Sequence, residues 1–292
     1  MLVWSVPPVR KRGGGIRGFV RWIGKPVRYY TSHPLELLRP RTNIVITCVD
    51  GMRFYCSYEN EIERQIMLTG TFEPVATELV RRFVRSGQTA FDVGANVGYY
   101  ALLLSKLVAA TGVVHAFEPT SYARQRFERN VELNAGVLPN NIVLSSLGLL
   151  AEPAQREEAI ESQFSSRQPA YARLENISFT TLDRYCESHH VGVVDFVKID
   201  VDGYDHEVLA GGRATLTRCR PLVLCELCDR VLIENGSSVR QYLASYAELG
   251  YDRFVTEAGM PPRPLGELFS HPNIETGTVN ALLFPIGRSD VV

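Results

Sequence analysis

The stretch TAFDVGANVGYY, residues 89–100, decides how the rest of the chain is read. An apolar run ends at Asp92, Gly94 and Gly98 follow four residues apart, and a helix-like pattern then begins. A strand that turns on glycines into a helix presents unpaired helix N–H groups and lets the backbone approach a small molecule closely. The question is which molecule.

Further along, strands and helices alternate. TAFDVG is followed by a helix over 96–109, GVVHAFEP by a helix over 121–135, NIVLSSLG stands next, and VDFVKIDV is followed by a helix over 204–217. PLVLCEL precedes a helix over 238–249, and YDRFVT and TVNALLFPI close the pattern as strands. Near-continuous apolar strands separated by helices predict an α/β protein whose parallel sheet is covered on both faces. Upstream, TNIVITCVDGMRFYCS (43–58) predicts a hairpin turning at Asp50-Gly51, and EPVATELVRRFVR (73–85) a helix. The chain divides into a basic tail (1–42), a hairpin and helix cap (43–88) and the α/β domain (89–292). Residues 151–180 break the rhythm and read as an excursion or mobile insert, and 259–276 as a long loop.

Composition is that of an ordinary globular protein, with 292 residues, 45% hydrophobic and 22% charged. The net charge of −1 offers no field for nucleic acid, but it is unevenly spread. Residues 1–35 carry seven basic side chains and no acid. Within 10–28, Arg17, Arg21, Lys25 and Arg28 lie opposite Ile16, Phe19, Val20 and Ile23 at helical spacing. This predicts a short basic amphipathic helix suited to an anionic surface, or to packing on the main domain. Six cysteines without framework spacing read as reduced thiols, hence a cytoplasmic context, and no stretch reaches the roughly 18 apolar residues of a membrane span.

Ligands of open parallel sheets sit beyond the carboxyl ends of the strands. A triphosphate loop requires Gly-Lys-Ser/Thr where this chain has Gly98-Tyr99-Tyr100. A dinucleotide fingerprint requires a middle glycine where Asn96 stands, and Asp92 would repel a pyrophosphate. A cationic, phosphate-free nucleoside fits better, and S-adenosylmethionine is one. Glu118 ends the next strand, where a carboxylate can accept hydrogen bonds from both ribose hydroxyls. KIDVDGYD places Lys198, Asp200, Asp202 and Asp205 near a strand end, with Glu226 on the next strand. Asp200 and Asp202 read as sharing a strand face; one would serve as general base and the other hold the cofactor or substrate. A structural Lys198–Asp200 ion pair is the plainer alternative. Three acids there also offer oxygen ligands to a divalent cation. His206 opens the following helix and is a candidate base, whereas His115 sits within an apolar strand and reads as core. Cys225-x-x-Cys228 lacks the second pair of a zinc site.

FDVGANVGYY, HAFEP, NVELN, TTLDRY, DFVKIDVDGYDHEVLAGG and LVLCEL occur in the order found in FkbM-type S-adenosylmethionine-dependent methyltransferases, and the chain resembles that family over about 44–286. GTFEP upstream and VNALLFP at the end are similar too. The resemblance implies a Rossmann-like class I methyltransferase fold, a seven-stranded mostly parallel sheet with an antiparallel last strand, here with an N-terminal hairpin and helix extension. It implies S-adenosylmethionine as cofactor and a hydroxyl of a sugar, glycan or secondary metabolite as acceptor. By position, Asp92, Gly94, Ala95, Asn96 and Gly98 would line the methionine part, Glu118 the ribose, and Asn134 and Gly148 would be neighbours of the cofactor. Leu149 stands where the family carries an acid near the adenine. Lys198 and Glu226 are placed at the substrate, with Asp200, Asp202 and His206 catalytic; no metal is required. A binding or scaffold protein that kept the fold and lost the activity, a nucleotide-linked oxidoreductase and a nucleic-acid methyltransferase are the alternatives. The intact glycines and acids, the missing third glycine and the acidic catalytic portion speak against them in turn.

Overall fold

The computed structural model describes residues 43–48, 50–161, 172–271, 273–274 and 277–288. The amphipathic helix expected within 10–28, and any surface contact through it, lies outside the described residues.

The hairpin forms as its Asp-Gly turn predicts, with β1 (Ile44–Thr47) antiparallel to β2 (Arg53–Cys56). A helix not anticipated from the sequence follows, α1 (Glu61–Thr69), capped by the Asn60 side chain, which accepts from Glu63 N at 3.1 Å. Then comes α2 (Pro74–Phe83), with proline at its first turn.

The α/β body runs β3 (Thr89–Val93), α3 (Tyr99–Val108), β4 (Val113–Phe117), α4 (Ser121–Leu133) and β5 (Ile142–Ser145). Next are β6 (Gly148–Leu149), β7 (Ala154–Glu161), β8 (Ala172–Thr180) and α5 (Leu182–Ser188). It continues with β9 (Phe196–Ile199), α6 (Asp205–Ala210), α7 (Arg213–Cys219), β10 (Leu222–Leu227), α8 (Asp229–Glu234) and α9 (Val239–Glu248), and ends with β11 (Tyr251–Val255), β12 (Arg263–Pro264), α10 (Leu265–Leu268) and β13 (Val279–Pro285).

Among the described residues the main sheet has the order β12-β11-β13-β10-β9-β3-β4-β5. The seven expected strands are present, and β13 pairs antiparallel with both β10 and β11. The two-residue β12 adds an eighth at the edge. Both faces are buried, as the apolar strands require. One core includes Leu102, Phe127 and Phe284, and the other Phe91, Tyr185 and Tyr246. His115 belongs to the core: it is 7% exposed, bonded to the Tyr185 hydroxyl at 3.0 Å, and burial pushes its pKa down to about 4.

Three expectations are corrected. The insert over 151–180 contains paired backbone: β7 and β8 run antiparallel from Ala154–Phe179 to Glu161–Ala172, and β6 joins β8 in parallel. Its charged composition hid the strand character. The helix over 204–217 is two helices that meet at Gly211-Gly212, where Gly211 packs against the Leu150 carbonyl, which a Cβ there would meet at 2.1 Å. The loop over 259–276 includes β12 and α10.

Candidate functional site

The sheet reverses direction of winding at β3, which has β4 on one side and β9 on the other. Beyond the carboxyl ends of these strands lies a cavity of about 450 Å³. This is the switch point at which doubly wound sheets bind ligands.

The bend after β3 forms its floor. Gly94 and Ala95 N–H both donate to the Phe117 carbonyl, at 3.1 and 2.9 Å. Gly94 has φ 82°, and a Cβ there would stand 2.0 Å from the Asp200 carbonyl oxygen, so only glycine fits. Asn96 is left-handed, with φ 50°, and its N–H donates to Glu118 Oε2 at 2.9 Å. Glu118 Oε1 accepts from Thr120 N at 2.8 Å and Thr120 Oγ1 at 2.6 Å. The carboxylate is thereby fixed at the wall, 4% exposed, and Oε2 keeps capacity for a further hydrogen bond. Gly98 caps α3 in a left-handed conformation against the Phe127 ring. Gly148 and Leu149 reach the cavity from β6.

On the β9 side, Asp200, Asp202 and Glu226 line the same space. Asp200 and Asp202 do so for a reason other than strand alternation. β9 ends at Ile199, and both residues lie in the following turn, where Asp202 adopts φ 51°. Lys198 is 5% exposed, with Nζ 3.2 Å from Asp200 Oδ2, 3.7 Å from Asp92 Oδ1 and 5.0 Å from the centre of the Tyr100 ring. Burial works against its charge, but Asp200, Asp92 and Glu73 push its pKa up. The expected ion pair therefore exists, and Asp200 faces the cavity as well.

Three expected site residues stand elsewhere. Asp92 is fully buried beneath the cavity and not in its wall; its oxygens have no hydrogen-bond partner, and burial, opposed by Lys198, pushes its pKa up to about 6. Asn134 latches the hairpin to α4, accepting from Arg53 N at 2.8 Å and donating to Arg53 O at 2.7 Å. A buried amide at a helix end serves that task as readily as a ligand contact. His206 is drawn to the Gly203 carbonyl, with Nδ1 at 3.0 Å, and does not line the cavity. Among the described residues no three His, Cys, Asp or Glu side chains converge as a metal-binding group does.

Sequence reasoning missed the roof. Glu61 and Gln65 of α1 reach the cavity, as do Glu73 before α2 and Arg156 and Phe179 of the insert. Glu73 is left-handed, with φ 42° and ψ 72°, although Pro74 follows it, and its Oε2 accepts from the buried Tyr100 hydroxyl at 2.9 Å. The signal was present in GTFEP, an acid directly before a helix-opening proline.

A strand-end cavity on a sheet of this order, with a glycine bend and a carboxylate on the adjacent strand, defines a Rossmann-like nucleoside-binding protein of the methyltransferase kind. The family model described as "Methyltransferase FkbM domain" matches residues 92–253, more than half of the chain, and the chain belongs to that family. No curated protein matches it. Similar solved structures include an FkbM methyltransferase from Methylobacillus flagellatus (12% identity, 68% of this chain and 44% of that one, TM-score 0.45). The match thus spans less than half the length of that structure. Others are fibrillarin from Aeropyrum pernix with natively bound S-adenosyl-L-methionine (14%, 72% and 73%, 0.42) and a SAM-dependent O-methyltransferase from Thermotoga maritima (13%, 86% and 80%, 0.44). These likenesses are distant, and it is the strand order that defines the fold. No helix among the described residues is long and apolar enough to cross a membrane.

Proposed function

We propose that the protein transfers the methyl group of S-adenosylmethionine to a hydroxyl of a sugar, glycan or secondary metabolite. The observation that carries this reading is the charge of the cavity. Six carboxylates line it (Glu61, Glu73, Glu118, Asp200, Asp202 and Glu226), against Lys198 and Arg156. Lys198 is already engaged by Asp92 and Asp200. Such a wall repels a pyrophosphate and favours a ligand bearing an ammonium and a sulfonium.

The residues present fit that group. The left-handed bend at Gly94–Asn96 gives close backbone approach, Glu118 accepts from ribose hydroxyls, and Gly148 and Leu149 offer an apolar surface to a base. Asp200, pinned by Lys198, and Asp202 line the same cavity and would hold the cationic groups of the donor. The donor supplies a methyl already activated by its sulfonium. The protein aligns the acceptor and excludes water, which provides a large part of the rate. Glu226, at the end of the neighbouring strand, adds a further carboxylate to the same strand-end wall.

The test is incubation of the full chain with isotopically methyl-labelled S-adenosylmethionine and candidate metabolites, read by mass spectrometry. Label on an oxygen is the expected result. Asp202→Asn lowers turnover while melting as the parent does; near-parental kinetics remove Asp202 from the assignment.

A further inference from the structure

Glu73 lies outside the span matched by the family model, in the cap between α1 and α2, yet it lines the cavity. Three features single it out. Its backbone occupies the left-handed region ahead of a proline, which is costly for glutamate and persists only where the surroundings enforce it. Three of the non-glycine residues with positive φ, Glu73, Asn96 and Asp202, line this one cavity, so strain concentrates there. Its carboxylate is oriented by the Tyr100 hydroxyl, and burial and then the Glu73 charge raise the Tyr100 pKa, so that the phenol stays a donor and the carboxylate an acceptor.

The rest of the cavity leaves a role for such a group. Methyl transfer is an in-line displacement, so the acceptor oxygen approaches from the side of the methyl remote from sulfur. A carboxylate outside the wall that grips the donor can meet that oxygen from the acceptor side. Asp200 is in direct contact with Lys198; Glu73, whose charge also acts on Lys198, comes from the separate cap wall, half-buried, together with Glu61 and Gln65.

We infer that Glu73 is the general base that takes the proton of the acceptor hydroxyl, held in place by Tyr100, and that the cap wall forms the acceptor subsite. This rests on the methyl-transfer reading above. The acceptor oxygen forms a bond to the methyl carbon while the carbon–sulfur bond breaks. Its electron pair passes to sulfur, leaving a neutral thioether, and the hydroxyl proton passes to the Glu73 carboxylate. The cap wall carries two carboxylates (Glu61 and Glu73) and the Gln65 amide against one cation, Arg156, a net negative lining that suits an uncharged polyhydroxylated acceptor better than a phosphorylated one.

The experiment compares the full-length parent with Glu73→Gln and Glu73→Ala. S-adenosylmethionine binding is measured by calorimetry, and labelled-methyl transfer with a panel of neutral mono- and disaccharides and hydroxylated metabolites. Glu73→Gln keeps an acceptor for the Tyr100 hydroxyl, which guards against loss of fold. The expected result is donor affinity within about twofold of the parent and kcat lowered about 100-fold or more, within the usual range for a general base. Formate restores part of the Glu73→Ala activity. Turnover within about threefold of the parent in Glu73→Gln overturns the inference, and so does a loss that formate leaves untouched. Parent protein that binds the donor but methylates no hydroxyl in the panel overturns the underlying hydroxyl reading instead, so the two failures are distinct.

Discussion

The cavity has two walls built in different ways. The strand-end wall, from the bend after β3 and the turn after β9, is fixed by backbone. Gly94 abuts the Asp200 carbonyl, Ala95 is tied to Phe117, and Asn96 N–H holds the Glu118 carboxylate. The cap wall is made of side chains from α1, the Glu73 turn and the insert strands, and within it the Tyr100 phenol orients Glu73. A ligand part common to a whole family is suited to the first wall and a part that varies to the second. Lys198 ties the two together, lying against Asp200, Asp92 and the Tyr100 ring.

The comparison breaks most sharply at Gly94. Gly94→Ala drives a Cβ into a backbone carbonyl at 2.0 Å and strains a φ of 82°. Donor affinity is expected to fall about a thousandfold or more, some 4 kcal/mol, as read by calorimetry. A Kd within tenfold of the parent means that the bend is not the grip. Next in size is the link between the walls. Lys198→Met leaves the buried Asp92 and the half-buried Asp200 without their cation and is expected to destabilise the fold by about 3 kcal/mol in urea titrations. Adding Asp92→Asn recovers part of that loss. No recovery means the pair is not coupled.

The smallest effect lies behind the strand-end wall. Asp205 is buried, accepts from Gly203 N at 3.0 Å, and burial followed by the Asp200 charge raises its pKa from 3.8 to about 7. The folded chain holds this proton where the unfolded chain has released it. The stability contributed by the neutral acid is therefore complete below pH 3.8 and gone once the pH rises past about 7. Asp205→Asn is expected to flatten the stability profile between about pH 4 and 7 and to stabilise the protein by about 2 kcal/mol at the upper end. Parallel parent and variant profiles contradict the assignment.

The strand-end wall was largely legible in the sequence because its requirements are local. A glycine bend after an apolar strand, and an acid at the end of the next strand, follow from turn sterics and strand order. The cap wall was not, because its residues meet the cavity only through tertiary packing. Glu73 precedes the glycine bend by about twenty positions, and nothing in its own segment states what it faces. Local pattern also misled. Asn134 closes a motif-like stretch, yet its amide serves the hairpin backbone, and His206 turns to a carbonyl three residues back. Asp92 follows the alternation into the sheet, where it is buried against Lys198. The β7–β8 pair was hidden because its charged sequence carries little of the apolar alternation that marks strands.

The central claim is that the bend at Gly94–Asn96 and the Glu118 carboxylate hold a sulfonium nucleoside. Titration calorimetry of the full chain with S-adenosylmethionine and, separately, with NAD tests it most directly. The account predicts saturable binding of S-adenosylmethionine, weakened about tenfold or more by Glu118→Ala with the loss of charge-assisted hydrogen bonds, and no binding of NAD. Saturable NAD binding, or no heat with S-adenosylmethionine at saturating concentration, contradicts it.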